Sequence, residues 1–505
     1  MVVTLTEYTS KRRLIAAAND EIWWEDDVAA GGMVELDTSS GAIDTTDQLN
    51  MFEAYQKALI VNGANLKIAD FGNTKITITA LTDNRCPAKG DLLTQDQGDG
   101  IAYMIVDFVN TARTNIYGYA YYTGNATAFN TTVDISSNDG IASMDPNPIP
   151  NANISAVTAP PHWRDWTPYP DVTIDGVVVS YGSMPDKAYL GCLYNGRAVL
   201  SGNPQEPNQW YMSRQNNIYD WQYIANDDQS PVKGKQGDLG EADDIIRSLS
   251  PYKDDYLSIG CASSAFVMFG DPMYGGELRE LTLTTGIFGA NSYCWDNNNN
   301  FYFWGNNGLY KTTIPGVPQC VSQFKLPRIV TDEAASPSTH RITLLYDNDR
   351  HGILVCITLL ADGSNSNYWY DLNSIDEQGV GGFFPESYPD ACGIYSGIYY
   401  DSNTASLKGL VLGCTDGYIR TFDDTVKSDV VGQQSNAINS YVNIGPIPMS
   451  GILNREGTLS GVDLTVAGGG SGGSQSDSND VDFKVYTART SEQVVERLNA
   501  NTNPN

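Results

Sequence analysis

Short apolar runs alternate with tight polar turns along most of this chain, and the pattern is that of β-hairpins. The stretches VNGANLKIADF (61–71), LYNGRAVLSG (193–202), WDNNNNFYFWGNNGLYKTT (295–313), LYDNDRHGILVCIT (345–358) and LGCTDGYIRTFDD (412–424) share one layout. Each places an Asn/Asp/Gly turn between two runs rich in Val, Ile, Tyr, Phe and Trp. Asn-Gly and Asp-Gly adopt the positive φ angles of two-residue hairpin turns, and the flanking residues suit a half-buried pleated surface. Hairpins returning every few tens of residues predict a repeat architecture, and for antiparallel units the leading candidate is a β-propeller.

The expected fold is all-β. Hairpin units fall near 12–40, 50–80, 188–225, 246–285, 290–315, 340–372 and 390–424, giving a propeller of about seven blades, with six or eight allowed. Residues 1–82 supply the first blades. From 83 to 140 the strands become shorter and more evenly spaced, which predicts an inserted small β-barrel domain. Residues 141–187, which include MDPNPIPNANISAVTAPPHW, form a Pro/Asn-rich linker where proline disfavours regular pairing. Blades resume over 188–425. Residues 426–505 form a C-terminal β extension that includes strands in SYVNIGPIPMSGILNREGTLSGVDLTV and VDFKVYTART and a flexible Gly/Ser loop, AGGGSGGSQSDSND. Helical periodicity is confined to EQVVERL and EADDIIRSL (241–249).

Charge changes the picture more than composition does. The 505 residues carry 60 Asp+Glu against 30 Lys+Arg, a formal net charge of -30, which disfavours binding to nucleic acid phosphates or anionic membrane. Charged residues make up only 18% of the chain, low for a halophilic surface. The eight cysteines (86, 192, 261, 294, 320, 356, 392, 414) are widely spaced with no CxxC pair, and several sit in apolar strand runs. Buried free thiols are therefore expected, as in a protein made in a reducing cytoplasm. MVVTLTEYTSKRRLIAAA lacks the apolar stretch of a signal peptide, and no run approaches a membrane span. Asn125, Asn130 and Asn153 precede x-Ser/Thr but are expected to be plain polar loop residues.

Motifs that would carry chemistry do not find their context. GGSGG (469–473), around Ser471, matches G-x-S-x-G, and GGGSGG (468–473) matches G-x-G-x-x-G, but neither lies between a strand and a helix. His162, His340 and His351 include no zinc-binding pair. The loop starting at Asp296 has Asn307 where a calcium loop needs a bidentate Glu. Asp347 and Asp349 read as hairpin-turn residues. No catalytic, cofactor-binding or metal-binding residue is assigned, and no enzyme activity or cofactor is expected. The aromatic clusters HWRDWTPYP (162–170), NQWYMSRQNNIYDWQY (208–223) and NYWYDL (367–372) could stack sugars or pack the core, and packing is favoured.

NPQEPNQWYMSRQNNIYDWQY (203–223), with the preceding strand, resembles a blade of propeller-type virion proteins of tailed bacteriophages. Arg197, Ser201, Gly202, Ser213, Arg214, Asp220 and Trp221 carry the match. FVMFGDP (266–272), GGELRELTLTTGIFG (275–289), NNGLY (306–310), DGYIRTFDD (416–424) and the terminal SYVNIGPIP and REGTLSGVDLTV are similar to the same family, over about two-thirds of the chain. The segment GDLLTQDQGDGIAYMIVDF is similar to small β-barrel insertions of phage tail proteins. The resemblance implies a structural protein of the virion tail, most like the nozzle or hub of a short-tailed phage. It implies a ring, expected as a homohexamer, with head-to-tail adaptor proteins and tail fibres as partners. Genome DNA would pass through the lumen during ejection without specific binding, which suits the acidic balance. Two rivals remain at this point: a host-receptor or glycan-binding propeller of the tail, and a propeller glycosidase.

Overall fold

The computed structural model describes residues 1–6, 9–26, 31–39, 41–44, 48–79, 86–137, 153–174, 176–224, 226–235, 244–423, 426, 428–432, 434–438, 441–448, 461 and 483–500. The chain divides into two units, Met1–Ser435 and Asn436–Asn505.

The first unit is all-β and propeller-like. Antiparallel meanders of three or four strands follow one another along it. The first comprises Ile15–Ala18, Glu21–Glu25 and Met33–Glu35. The second is made of Asn50–Ala54, Lys57–Val61, Leu66–Asp70 and, returning from much later in sequence, His162–Asp165. The third runs from Leu190 to Lys235, the fourth from Ile246 to Thr282 and the fifth from Tyr293 to Cys320. The sixth spans His340–Glu386, and the seventh Ile394–Thr421.

Local sequence explains the turns. Asn195 and Gly196 have φ of 48° and 68° between the paired residues Tyr194 and Arg197, the geometry for which Asn-Gly is chosen. The corresponding turn of the second meander is Tyr55-Gln56, with φ of 52° and 65°. Neither residue is a glycine, so this turn holds strain.

Each meander packs on the next, which is why so many strands are apolar throughout rather than alternating. Ile15 and Ile22 meet Ala58 and Ile60, and Leu59 and Val61 meet Ala198 and Leu200. Cys192 and Met212 meet Leu257 and Phe266, Val267 meets Phe301 and Phe303, and Trp304 meets Ile342 and Val355. Leu345, Leu354 and Cys356 meet Ile394 and Leu412. The seventh meander reaches back to the first. Tyr400 donates to the Glu25 carboxylate and, at 3.2 Å, to the Arg12 carbonyl, while Arg12 pairs with Asp401.

The interruption of the second meander is a six-stranded sheet in the order Ser136–Ser137, Leu92–Asp96, Gly100–Val109, Asn115–Gly124, Thr74–Ile78, Ile154–Thr158. Its bounds are wider than the expected 83–140, because Thr74–Ile78 pairs with both Asn115–Gly118 and Ile154–Thr158. The stretch expected as linker thus contributes strands at 154–158, 162–165 and, as a separate hairpin, 172–179. Nor does the insertion have a core of its own. Ile76, Met104, Phe108 and Ile116 lie in one buried cluster with Leu59, Trp166 and Tyr219.

The helix expected over 241–249 is a strand from Ile246 onward, and residues 241–243 lie outside the described residues. Ser248 and Ser250 are fully buried there. In the second unit Ser491–Asn499 is helical, with the Thr490 hydroxyl accepting from the Gln493 amide at 3.2 Å as an N-cap. Residues 441–448 and 483–488 are described without regular secondary structure, whereas strands were expected there, and the Gly/Ser loop with Ser471 lies outside the described residues.

Candidate functional site

The residues that carried the sequence resemblance are packing and turn residues. Arg197 is fully buried, its Nε on Asp271 at 2.8 Å and its guanidinium on the carbonyls of Ser213, Asp228, Gln229 and Ser230. It ties the third meander to the fourth. The Ser213 hydroxyl accepts from the Ala198 amide and the Ser201 hydroxyl donates to the Gln209 carbonyl. Gly202 has φ of 74°. Arg214 pairs with Asp227 at 2.6 Å, and Asp220 accepts from the Gln222 amide. Trp221 is buried edge-to-face on Trp166. These side chains build the fold and leave no reactive group exposed together.

Other candidates resolve in the same way. Asp296 caps its own turn, accepting from the amides of Asn298 and Asn300. Asp347 accepts from the amides of Asp349 and Arg350, and Asp349 accepts from the Tyr399 hydroxyl. His162, His340 and His351 contact Tyr117, Thr339 and Tyr346 respectively, and not one another. All eight cysteines are free, seven of them buried and Cys320 half-buried. Among the described residues no group of three His, Cys, Asp or Glu could hold a metal ion, and no helix is long and apolar enough to cross a membrane. The aromatic clusters are mostly core, with Trp166, Tyr169, Tyr219, Trp221 and Tyr370 all buried.

A different site emerges where the inserted sheet meets the second meander. A cleft of about 360 Å³ opens there, lined by Tyr55, Gln56, Lys57, Asn73, Lys89, Ile105, Asp107, Tyr119 and Asn216. The strained Tyr55-Gln56 turn forms one wall. Its Tyr55 hydroxyl donates to the Gly196 carbonyl at 2.6 Å, and its Gln56 side-chain oxygen accepts from the Leu5 amide at 3.0 Å. Asp107 arrives from the other side. The strand register slips between Val106 and Phe108, a bulge that leaves Asp107 as the extra residue and turns its carboxylate into the junction.

There Asp107 accepts from Lys57 at 3.0 Å, Asn73 at 3.0 Å and Tyr219 at 3.1 Å, and pairs with Lys89. Asp70, fully buried, lies 4.0 Å from Lys57 and 3.9 Å from Arg164. Arg164 is sandwiched by Phe108, Tyr117 and Tyr219, with its charge 4.0 to 5.2 Å from their ring centres. Its Nε and Nη1 have no hydrogen-bond partner.

Burial disfavours the Lys57 ammonium, but the carboxylates of Asp70 and Asp107 outweigh it and hold the group above the ordinary lysine range. Burial likewise pushes Asp107 up, and the two lysines outweigh that, holding it well below the ordinary carboxylate range. Three cations (Lys57, Lys89, Arg164) face two carboxylates (Asp70, Asp107), a surplus of one positive charge in a chain of net charge -30. Nothing in the hairpin pattern marked this site. Lys57, Lys89 and Asp107 are far apart in sequence, and the bulge that aims Asp107 has no compositional sign.

No family model and no curated protein matches this chain. Among solved structures, it is similar to the extracellular domain of a protein described as a one-component system from B. thetaiotaomicron, at 11% identity and a TM-score of 0.32. That match covers 74% of this chain, and the chain spans only 38% of that domain. It is also similar to virginiamycin B lyase from Staphylococcus aureus, at 11% identity and a TM-score of 0.29, over 68% of this chain and 98% of the lyase. Likeness at this level assigns neither activity nor partner, and the description of the fold rests on the strand order itself.

Proposed function

We propose that the chain is a structural protein of a bacteriophage tail, a nozzle or hub component that works as a closed ring of copies, most simply a homohexamer, conducting DNA during ejection. The observation that carries this is the commitment of charged groups to architecture. Arg197 staples neighbouring meanders, Glu25 holds Tyr400 and so closes the first on the last, and Lys57, Asp70, Asp107, Lys89 and Arg164 pin the insertion to its meander. Such a chain is a rigid building block rather than a catalyst.

In this reading the meanders are the blades of one seven-bladed propeller, and the inserted sheet is a barrel-like contact arm. The axis of a single propeller is too narrow for duplex DNA, so conduction needs several copies about a common axis, joined by a heterologous interface that closes. The surplus of carboxylates gives the passing duplex no phosphate-binding track. Adaptor proteins and fibres would be the neighbours, and the virion tail, assembled in the host cytoplasm, the location. Electron-microscopy reconstruction of the virion tests this: density for the chain as an axial ring is expected. Copies decorating the capsid, or standing as spikes off the tail axis, would overturn it.

A further inference from the structure

The inserted sheet has one face turned away from the core, and that face is aromatic, with a single carboxylate, Asp96, beside Ile101 at its far end. Along Gly100–Val109 the residues Ile101, Tyr103 and Ile105 share it, and along Asn115–Gly124 so do Tyr119, Tyr121 and Thr123, because Ile105 pairs with Tyr119, Tyr103 with Tyr121 and Ile101 with Thr123. Leu92, Thr94 and Asp96 extend the same rows. The Tyr103 and Tyr121 rings stack in parallel, 4.7 Å apart and 5° from coplanar. Ile105 and Tyr119 are 44% and 51% exposed, too open for core positions. Successive rows stand roughly 6 to 7 Å apart along the strands. The result is a row of tyrosine rings along one open face.

The track does not end in solvent. Its Ile105–Tyr119 row is also the wall of the junction cleft, whose floor holds Lys57, Lys89 and Asp107. The Lys89 side chain is 28% exposed and so keeps donors free beyond its bond to Asp107. Gln56, Asn73 and Asn216 add neutral hydrogen-bonding groups around the rim. An aromatic platform, its one carboxylate (Asp96) at the end away from the cleft, running into a polar cleft with a net positive floor is complementary to one ligand chemistry. The ligand must offer apolar ring faces for stacking, hydroxyls for the amides, and an anionic group for the lysines.

We propose that this track and cleft bind an acidic oligosaccharide, its sugar rings lying along Tyr103, Tyr121 and Tyr119 and a carboxylate seated at Lys89. A nucleic acid strand would need cations along the track, and the track has none. A second copy of this chain would bring the surplus of negative charge without sugar-like ring faces. The inference stands apart from the conduit reading, since it needs one copy and no ring.

Isothermal titration of the full chain at low ionic strength with hexagalacturonate, with maltohexaose and sulfate as controls, tests it. Saturable binding of hexagalacturonate is expected, at least tenfold tighter than either control. Lys89→Gln and Tyr119→Ala should each weaken it about tenfold or more, while Lys89→Arg, which keeps the charge, should stay within about threefold. Circular dichroism confirms that each variant is folded, and Tyr121→Ala on the same open face serves as a second variant. Equal binding of sulfate would reduce the site to a bare anion cleft, and equal binding of maltohexaose would remove any role for the lysines. Either result overturns the proposal. So would the absence of binding, or unchanged affinity in Lys89→Gln, or ultracentrifugation showing a dimer that Tyr119→Ala dissociates.

Discussion

Replacing Asp107 with Asn removes one charge from the junction and leaves its shape almost intact. The structure says what is lost. Lys57 is only 4% exposed and keeps Asp70 as its remaining carboxylate, at 4.0 Å, while Lys89 loses its partner. Breaking a buried pair from one side costs about 3–5 kcal/mol, because the surviving charge stays out of water. At about 1.4 kcal/mol per factor of ten, that is roughly two to three and a half orders of magnitude in the local opening equilibrium. Hydrogen exchange read on peptides covering 57–70 and 100–109 reports that equilibrium without assuming that the whole chain unfolds in one step. The sign with pH follows from the directions of the two shifts. Asp107 is held low, so its contribution is complete above the ordinary carboxylate pKa of about 4 and fades as pH falls through its folded value. The wild-type protein should therefore lose its advantage over Asp107→Asn only at strongly acid pH. Lys57 is held high, so its contribution is complete below about pH 10.4 and fades as pH rises through its folded value. Adding Lys57→Met to Asp107→Asn should recover part of the loss. A change in protection below about threefold in Asp107→Asn would refute the reasoning and mean that water screens the cluster.

Two further outcomes follow from burial. A thiol reagent added to the native protein should modify Cys320 first, since it alone is half-buried, and the other seven only on unfolding. Burial pushes Cys86 up to about 11 and Cys261 up to about 12, so rapid modification of either in the folded chain would contradict the structure. Deleting 84–139 should give insoluble protein, because the cut passes through the six-stranded sheet and strips Phe108 and Met104 from the core around Trp166 and Tyr219. A monodisperse, folded deletion product would show that the insertion is separable after all.

Much of the meander architecture was legible because its signals are local. Asn195-Gly196 announces its turn, and ILVCIT announces a strand buried on both faces. The limits of the insertion were not legible. TKITI and ISAVT look like any other strand, and only their pairing with each other, with Val157 opposite Ile76 far earlier in the chain, places them in the inserted sheet. The site was hidden for a related reason. Tyr55-Gln56 makes a left-handed turn without the residues that favour one, and Asp107 owes its direction to a bulge. The 241–249 segment misled because its Ile and Leu fit a helical spacing, while the strand begins at Ile246 and is buried by neighbouring meanders.

The split second meander also sets a schedule for synthesis. Leu66–Asp70 must wait for His162–Asp165 before it has its outer neighbour, a gap of roughly ninety residues, or about 5–20 s at ordinary rates of elongation. Through that interval the Leu66–Asp70 edge stands unpaired, while Asp70 and Lys57 lack Arg164. The first meander waits longer still, for Tyr400 and Asp401. A nascent chain of this design spends most of its time on the ribosome with open strand edges, so its yield in a host should track chaperone supply more closely than the stability of the finished fold.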